Sequence, residues 1–177
     1  SCSASPSATT VNNDVNWSAT ASGGKTPYAY SWSNDVSGST ASVTKSYTTT
    51  ETKTGTVTVT SSEAQAQVKT CSSSATISNK PSVSSFTTTD ADIIQGETTT
   101  LSWSCGDSTT STGTNFNTGG ATSGGPVSVS PNTTTTYTIT CTNSINESSS
   151  SSRTVNVTPQ SITASISISP TSGRAPL

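Results

Sequence analysis

Few residue types in this chain can do chemistry, and their spacing narrows what they could do. There is no His, which excludes a Ser-His-Asp triad, an imidazole base and His-rich metal sites. The four Cys are Cys2, Cys71, Cys105 and Cys141. They lack the CxxC pairs of a zinc site, and pairing as disulfides is a simpler use for them than nucleophilic catalysis. Asp90 and Asp92 form a close carboxylate pair that could join Glu97 as hard oxygen ligands for Ca2+. The plainer role for the same residues is to cap a solvated turn. Asn16, Asn132, Asn146 and Asn156 each begin an Asn-x-Ser/Thr acceptor for N-linked sugar. With 39 Ser and 39 Thr in the chain such matches also arise by chance, and O-linked sugar on the Thr runs is an equal alternative. No residue is assigned a catalytic role, and no cofactor is expected.

The elements that would position these residues are strands. Leu101-Ser-Trp103-Ser-Cys105 and Tyr137-Thr-Ile139-Thr-Cys141 put apolar residues on every second position, so each has one apolar face. If the two strands lie in opposed sheets, Cys105 and Cys141 meet across a core, and the loop they close is worth about 3 to 4 kcal/mol. Val15-Asn-Trp17-Ser-Ala19, Tyr28-Ala-Tyr30-Ser-Trp32, Thr54-Gly-Thr-Val57-Thr-Val59 and Ala64-Gln-Ala66-Gln-Val68 alternate in the same way. Tyr28, Tyr30 and Trp32 are expected to be the main filling of the first core. Cys71 is out of phase with Ala64, Ala66 and Val68, so a Cys2–Cys71 bridge is expected at the sheet margin, clasping first strand to last. No stretch shows helical periodicity, and Thr, branched at Cβ, favours strands.

Composition limits the partners. Seven basic and nine acidic residues give a net charge of −2 with no basic block, which argues against nucleic acid or an anionic membrane surface. No apolar run approaches the roughly 18 residues of a membrane span. The chain has no Met, even at position 1, and so reads as a mature chain or a fragment. Four Cys, little Lys or Glu and a hydroxyl-rich surface point to an oxidising, extracellular or cell-surface setting.

Domain organisation follows from punctuation and repetition. Residues 1–76 read as one β-domain, 77–80 as a linker ending before Pro81, and 81–160 as a second. Within the second, Asp90 to Gly96 reads as a turn, Gly113 to Gly125 as a long polar hairpin, and the Ser run 148–152 as a loop. Trp17 is matched by Trp103, and Ser3-Ala-Ser-Pro6 by Ser167-Ile-Ser-Pro170, which sets a repeat of about 82 to 86 residues. Residues 161–177 then read as the start of a third domain, or as a strand donated to a neighbouring subunit. Ile162, Ala164, Ile166 and Ile168 would form its apolar, assembling face.

Three passages carry a family resemblance. Trp17-Ser-Ala-Thr-Ala-Ser-Gly-Gly followed by Pro27-Tyr-Ala-Tyr-Ser-Trp32 resembles a PKD-type Ig-like domain, and Ser169-Pro-Thr-Ser-Gly-Arg-Ala-Pro-Leu177 resembles the opening of another. Gly96-Glu-Thr-Thr-Thr-Leu-Ser-Trp103 with Val127-Ser-Val-Ser-Pro-Asn-Thr-Thr-Thr-Thr-Tyr137 is similar to Ig-like repeats of secreted and cell-surface bacterial proteins. The chain departs from the antibody pattern. Trp103 shares a strand with Cys105, and Tyr137 stands four residues before Cys141 instead of two.

The resemblance implies an all-β chain of tandem Ig-like sandwiches. It further implies a non-catalytic extracellular structural segment, whether stalk, adhesin shaft or filament subunit. The expected partners are other Ig-like domains of the same protein or of neighbouring subunits, with surface glycans as a further candidate. The alternative function is a spacer or carbohydrate-binding module attached to a secreted enzyme. The Trp and Tyr residues decide between them, since aromatics needed for a core cannot also stack on sugar.

Overall fold

The computed structural model describes residues 1–167, and Ile168, the last of the proposed assembling residues, lies outside them. Fourteen strands and no helix make up the described chain. The first seven are β1 (Cys2–Ser5), β2 (Ala8–Thr10), β3 (Asp14–Ala19), β4 (Ala29–Asn34), β5 (Ser42–Ser46), β6 (Glu51–Thr60) and β7 (Val68–Ser78). The next seven are β8 (Ser82–Thr88), β9 (Asp92–Ile94), β10 (Thr99–Gly106), β11 (Thr110–Thr114), β12 (Ser123–Val129), β13 (Thr135–Thr142) and β14 (Ser148–Thr158).

The first seven strands form a sheet β1-β3-β5 and a sheet β2-β7-β6-β4. The second seven form β12-β10-β8 and β11-β13-β14-β9. Adding seven to each strand number converts the first pair of sheets into the second, so the two units share one topology. Each has a three-stranded antiparallel sheet. Each also has a four-stranded sheet whose short edge strand, β2 or β9, runs parallel to its neighbour β7 or β14.

Alternation fills the space between the sheets. Val15, Trp17, Trp32, Val36, Tyr47, Val57, Ala75 and Ile77 make the first core, and Phe86, Ile93, Leu101, Trp103, Tyr137, Ile139, Cys141 and Val155 the second. Trp17 is fully buried, its ring edge meeting Trp32 at 6.5 Å between centroids. Gly55 makes room for it: a Cβ there would lie 2.5 Å from the Trp17 ring and 2.8 Å from Val36. In the second core Phe116, from the β11–β12 connection, stacks on Phe86 and meets Trp103 and Tyr137 edge-on.

The structure corrects several expectations. Of the three aromatics at 28, 30 and 32 only Trp32 is a buried core residue; Tyr30 is partly buried against the core, Tyr28 precedes β4 and points its hydroxyl at the Gly23 carbonyl, and Trp17 is the fully buried aromatic instead. Residues 77 and 78, read as the start of the linker, are the end of β7, because pairing with β6 from Thr60 down to Glu51 carries Ala75 and Ile77 into the core. That pairing also fixes the phase of Cys71, which shares the inward side with Ala75 and Ile77. Val68 is 54% exposed, Ala64 lies in a bend, and Ala66 lies in the connection before the strand.

In the second unit, Asp90 to Gly96 contains the edge strand β9. Gly113 to Gly125 is no hairpin but a crossing from one sheet to the other, since β11 pairs with β13 and β12 with β10. The Ser run 148–152 lies in β14, paired residue for residue with β13. Residues 161–167 form no strand, and Ile162 and Ile166 are 96% and 89% exposed.

Candidate functional site

The cysteines form two disulfides, each joining the two sheets of one unit. Cys2 on β1 is bonded to Cys71 on β7 with Cα atoms 5.9 Å apart, and Cys105 on β10 to Cys141 on β13 at 5.7 Å. Cys141 is fully buried. Both bridges therefore act across a sandwich, and a thiol role in catalysis is not available to any of the four.

The carboxylates picked out for calcium are engaged locally. Glu97 Oε2 accepts the Ile94 N–H at 2.8 Å and closes a tight turn. Asp92 Oδ1 accepts the Asn156 side-chain N–H at 2.8 Å. Asp90, Asp92 and Glu97 border one open polar hollow, but among the described residues no three acidic, Cys or His side chains converge as a metal-binding group. The acceptor asparagines are all exposed, and their surroundings differ. Asn16 Oδ1 takes the Ser42 hydroxyl at 2.6 Å in the middle of a sheet, and the Asn156 amide is held by Asp92. Asn146 sits in a turn at φ 64°, and Asn132 in a loop after Pro131.

Sequence reasoning missed three features. The first is a hydroxyl ladder on the outward side of β13 and β14: Thr136 meets Thr154 at 3.0 Å, Thr138 meets Ser152 at 2.8 Å, and Thr140 meets Ser150 at 2.8 Å. Cross-strand hydroxyl pairs of this kind are what turn a Ser run into a strand. The alternation of Thr at 136, 138 and 140 was a signal for it.

The second is a cluster around Tyr47. Lys53 points inward on β6 and is 7% exposed; its ammonium pairs with Glu51, reaches the Thr49 hydroxyl at 3.1 Å, and stands 5.3 Å from the Tyr47 ring centroid. Lys45 stands at the same distance from that ring. The Tyr47 hydroxyl donates to the Asp35 carbonyl at 3.0 Å. Burial pushes the Tyr47 phenol above its usual value, and burial does the same to Tyr137. The hydrogen bond from Lys53 holds the Glu51 carboxyl below the usual carboxylate range. A buried Lys stem ending on an exposed Glu and an aromatic face is a packing device.

The third feature is the pole of each unit, formed by the loop between its third and fourth strands and the turn between its sixth and seventh. In the second unit this pole holds the incoming chain. Asn143, 5% exposed, donates from Nδ2 to the Asn79 carbonyl at 2.9 Å, while its Oδ1 accepts the N–H groups of Ile145 and Glu147 at 3.1 and 2.9 Å. The Asn79 side chain in turn donates to Asp107 Oδ1 at 2.8 Å.

In the first unit the corresponding loop 20–28 and turn 61–67 are tied together. The Lys25 N–H donates to Glu63 Oε1 at 2.6 Å, Ser62 Oγ to the Thr26 carbonyl at 2.7 Å, and Tyr28 Oη to the Gly23 carbonyl at 2.6 Å. They frame a groove of about 400 Å³ with Val57, Val59 and Cys71 among its lining.

Comparison with solved structures agrees with this architecture. The chain is similar to murine CEACAM1b at 11% identity, covering 90% of this chain and 98% of that one, with a TM-score of 0.55. It also aligns with fibronectin(III)-like modules of Clostridium thermocellum CbhA at 12% identity, covering 88% and 92% of the two chains with a TM-score of 0.46. An amphioxus IgVJ-C2 molecule aligns at 12% identity over 84% and 99%, with a TM-score of 0.39. The likeness to CEACAM1b, at that identity, is one of fold, and the chain is all-β with an Ig-like fold. No protein-family model matches the sequence, and no curated protein matches it.

Proposed function

We propose that this chain is a non-catalytic, extracellular structural segment of an Ig-like array: a surface stalk, an adhesin shaft or a filament subunit. The single observation that carries the proposal is the clamp on the linker. Asn143 and Asp107 hold Asn79 from two directions, so the second unit binds the chain entering it instead of hanging from a free tether. A segment that transmits length or load needs such joints, and it needs units that resist opening, which the cross-sheet disulfides supply. The bridges also suit an oxidising compartment. The PKD-type affinity of the first unit belongs to the same proposal and rests on the passage from Trp17 to Trp32.

The alternative, a carbohydrate-binding module beside an enzyme, needs exposed aromatics. Trp17, Trp32, Trp103, Tyr137 and Phe86 are each at most 5% exposed and committed to the cores. Incubation with insoluble polysaccharides tests the choice. The structural reading expects no saturable retention. Saturable binding abolished by changing the half-buried Tyr28 or Tyr30 would replace it with the module reading.

A further inference from the structure

We propose that the two disulfides set an order of yielding under tension: the first unit carries a pull covalently and does not lengthen, and the second is the element that extends. This deepens the structural reading above and rests on it. The bridges stand differently in the path that a pull takes through the chain. In the first unit the bridge joins the first strand to the last, Cys2 on β1 to Cys71 on β7, with Cα atoms 5.9 Å apart. A pull arriving at β1 therefore crosses the sulfurs to β7 and leaves along Ser72 to Ser78, which is already extended strand with almost no length to give. The chain between the two cysteines, a separation of 69 residues, is outside that path. Because tension runs through the backbone, the path is the same whatever chain is joined before β1.

In the second unit the bridge joins two inner strands, Cys105 on β10 and Cys141 on β13. A pull enters through β8 and leaves through β14, and neither holds a cysteine. β8 is the edge of its sheet, held from Ser82 to Thr88 by antiparallel pairing with β10. β14 is held by β13 on one side and by the short parallel β9 on the other. Load therefore passes from β8 to β10, and from β13 to β14, through backbone hydrogen bonds and packing, which water replaces once the strands part. When β8 and β14 detach, the stretches from Ser82 to Cys105 and from Cys141 to Thr158 straighten, about 40 residues at about 3.5 Å each. A folded unit whose longest strand has 11 residues already spans about 4 nm, so the gain is about 10 nm. The chain between Cys105 and Cys141, a separation of 36 residues, stays closed behind its bridge.

Pulling the full 177-residue chain by its two ends in optical tweezers tests this, with handles joined to the terminal backbone so that no cysteine is added. The expected record has one extension event of about 10 nm per chain. Two paired replacements then change the length in known ways. Cys105→Ala with Cys141→Ala should add about 13 nm to the second unit's extension and leave the first unit silent. Cys2→Ala with Cys71→Ala should add about 24 nm from the first unit. In each variant the added length comes as an event if the altered unit still folds, and as slack from the start of the pull if it does not. The proposal is overturned if the unaltered chain gives a second event, one event longer than about 20 nm, or none, or if removing the Cys2–Cys71 bridge adds no length. An unaltered chain in which both units lengthen, and which binds no polysaccharide, removes the order of yielding and leaves the structural reading in place; saturable polysaccharide binding removes the reading itself.

Discussion

Removing the Cys2–Cys71 bridge by replacing both residues with Ala should unfold the first unit at far lower temperature and spare the second. The bridge spans 69 residues and its counterpart, Cys105–Cys141, spans 36. Loop-closure entropy then gives about 4.4 and about 3.8 kcal/mol respectively. Each core contains only eight buried apolar residues, and a domain's whole stability is about 5 to 15 kcal/mol. For a unit of this size about 4 kcal/mol corresponds to a fall of about 20 to 30 °C in Tm. Differential scanning calorimetry of the two double variants resolves the units: each should lower one transition and leave the other in place. A variant that lowers both transitions equally, or neither, would refute the assignment of one cross-sheet bridge to each independently stabilised unit.

Three further outcomes follow from the packing. Gly55→Ala should destabilise the first unit by about 1 to 3 kcal/mol through overpacking, because its Cβ would meet the Trp17 ring at 2.5 Å; chemical denaturation measures this. Asn143→Ala removes one donor from the Asn79 carbonyl and one acceptor from two backbone N–H groups. It should cost the second unit about 2 to 3 kcal/mol, with hydrogen exchange quickened at Ile145 and Glu147. Raising the pH should weaken both units, since the folded-state phenols of Tyr47 and Tyr137 lie above their usual value. That contribution is complete below the ordinary tyrosine pKa of about 10 and is lost as pH climbs through the raised folded values. Ultraviolet titration should show the Tyr47 and Tyr137 phenols ionising above the ordinary tyrosine range.

The central strands were legible because their alternation is strict: Leu101, Trp103 and Cys105 on β10, and Tyr137, Ile139 and Cys141 on β13, all turn inward or toward the bridge. What escaped depends on partners. Ser148 to Ser152 has the composition of a loop, and only the facing threonines of β13 make it a strand. The phase of Cys71 could not be read from Ala64, Ala66 and Val68, because the strand begins at Val68 and takes its phase from β6. Tyr28 resembles a core residue until β4 is found to begin only at Ala29, and Tyr30 on β4 reaches the core only in part. The pole clamp is built from Asn79, Asp107 and Asn143, three polar residues far apart in sequence, whose types alone suggest nothing more than turns.

The claim that the units form a stiff structural segment meets its most direct test in small-angle X-ray scattering of the unaltered chain beside Asn143→Ala, recorded across salt and temperature. The account predicts that one fixed arrangement of the two units fits the unaltered chain under all these conditions, and that the variant requires a spread of arrangements. An unaltered chain that already requires such a spread, or a variant indistinguishable from it, would contradict the account.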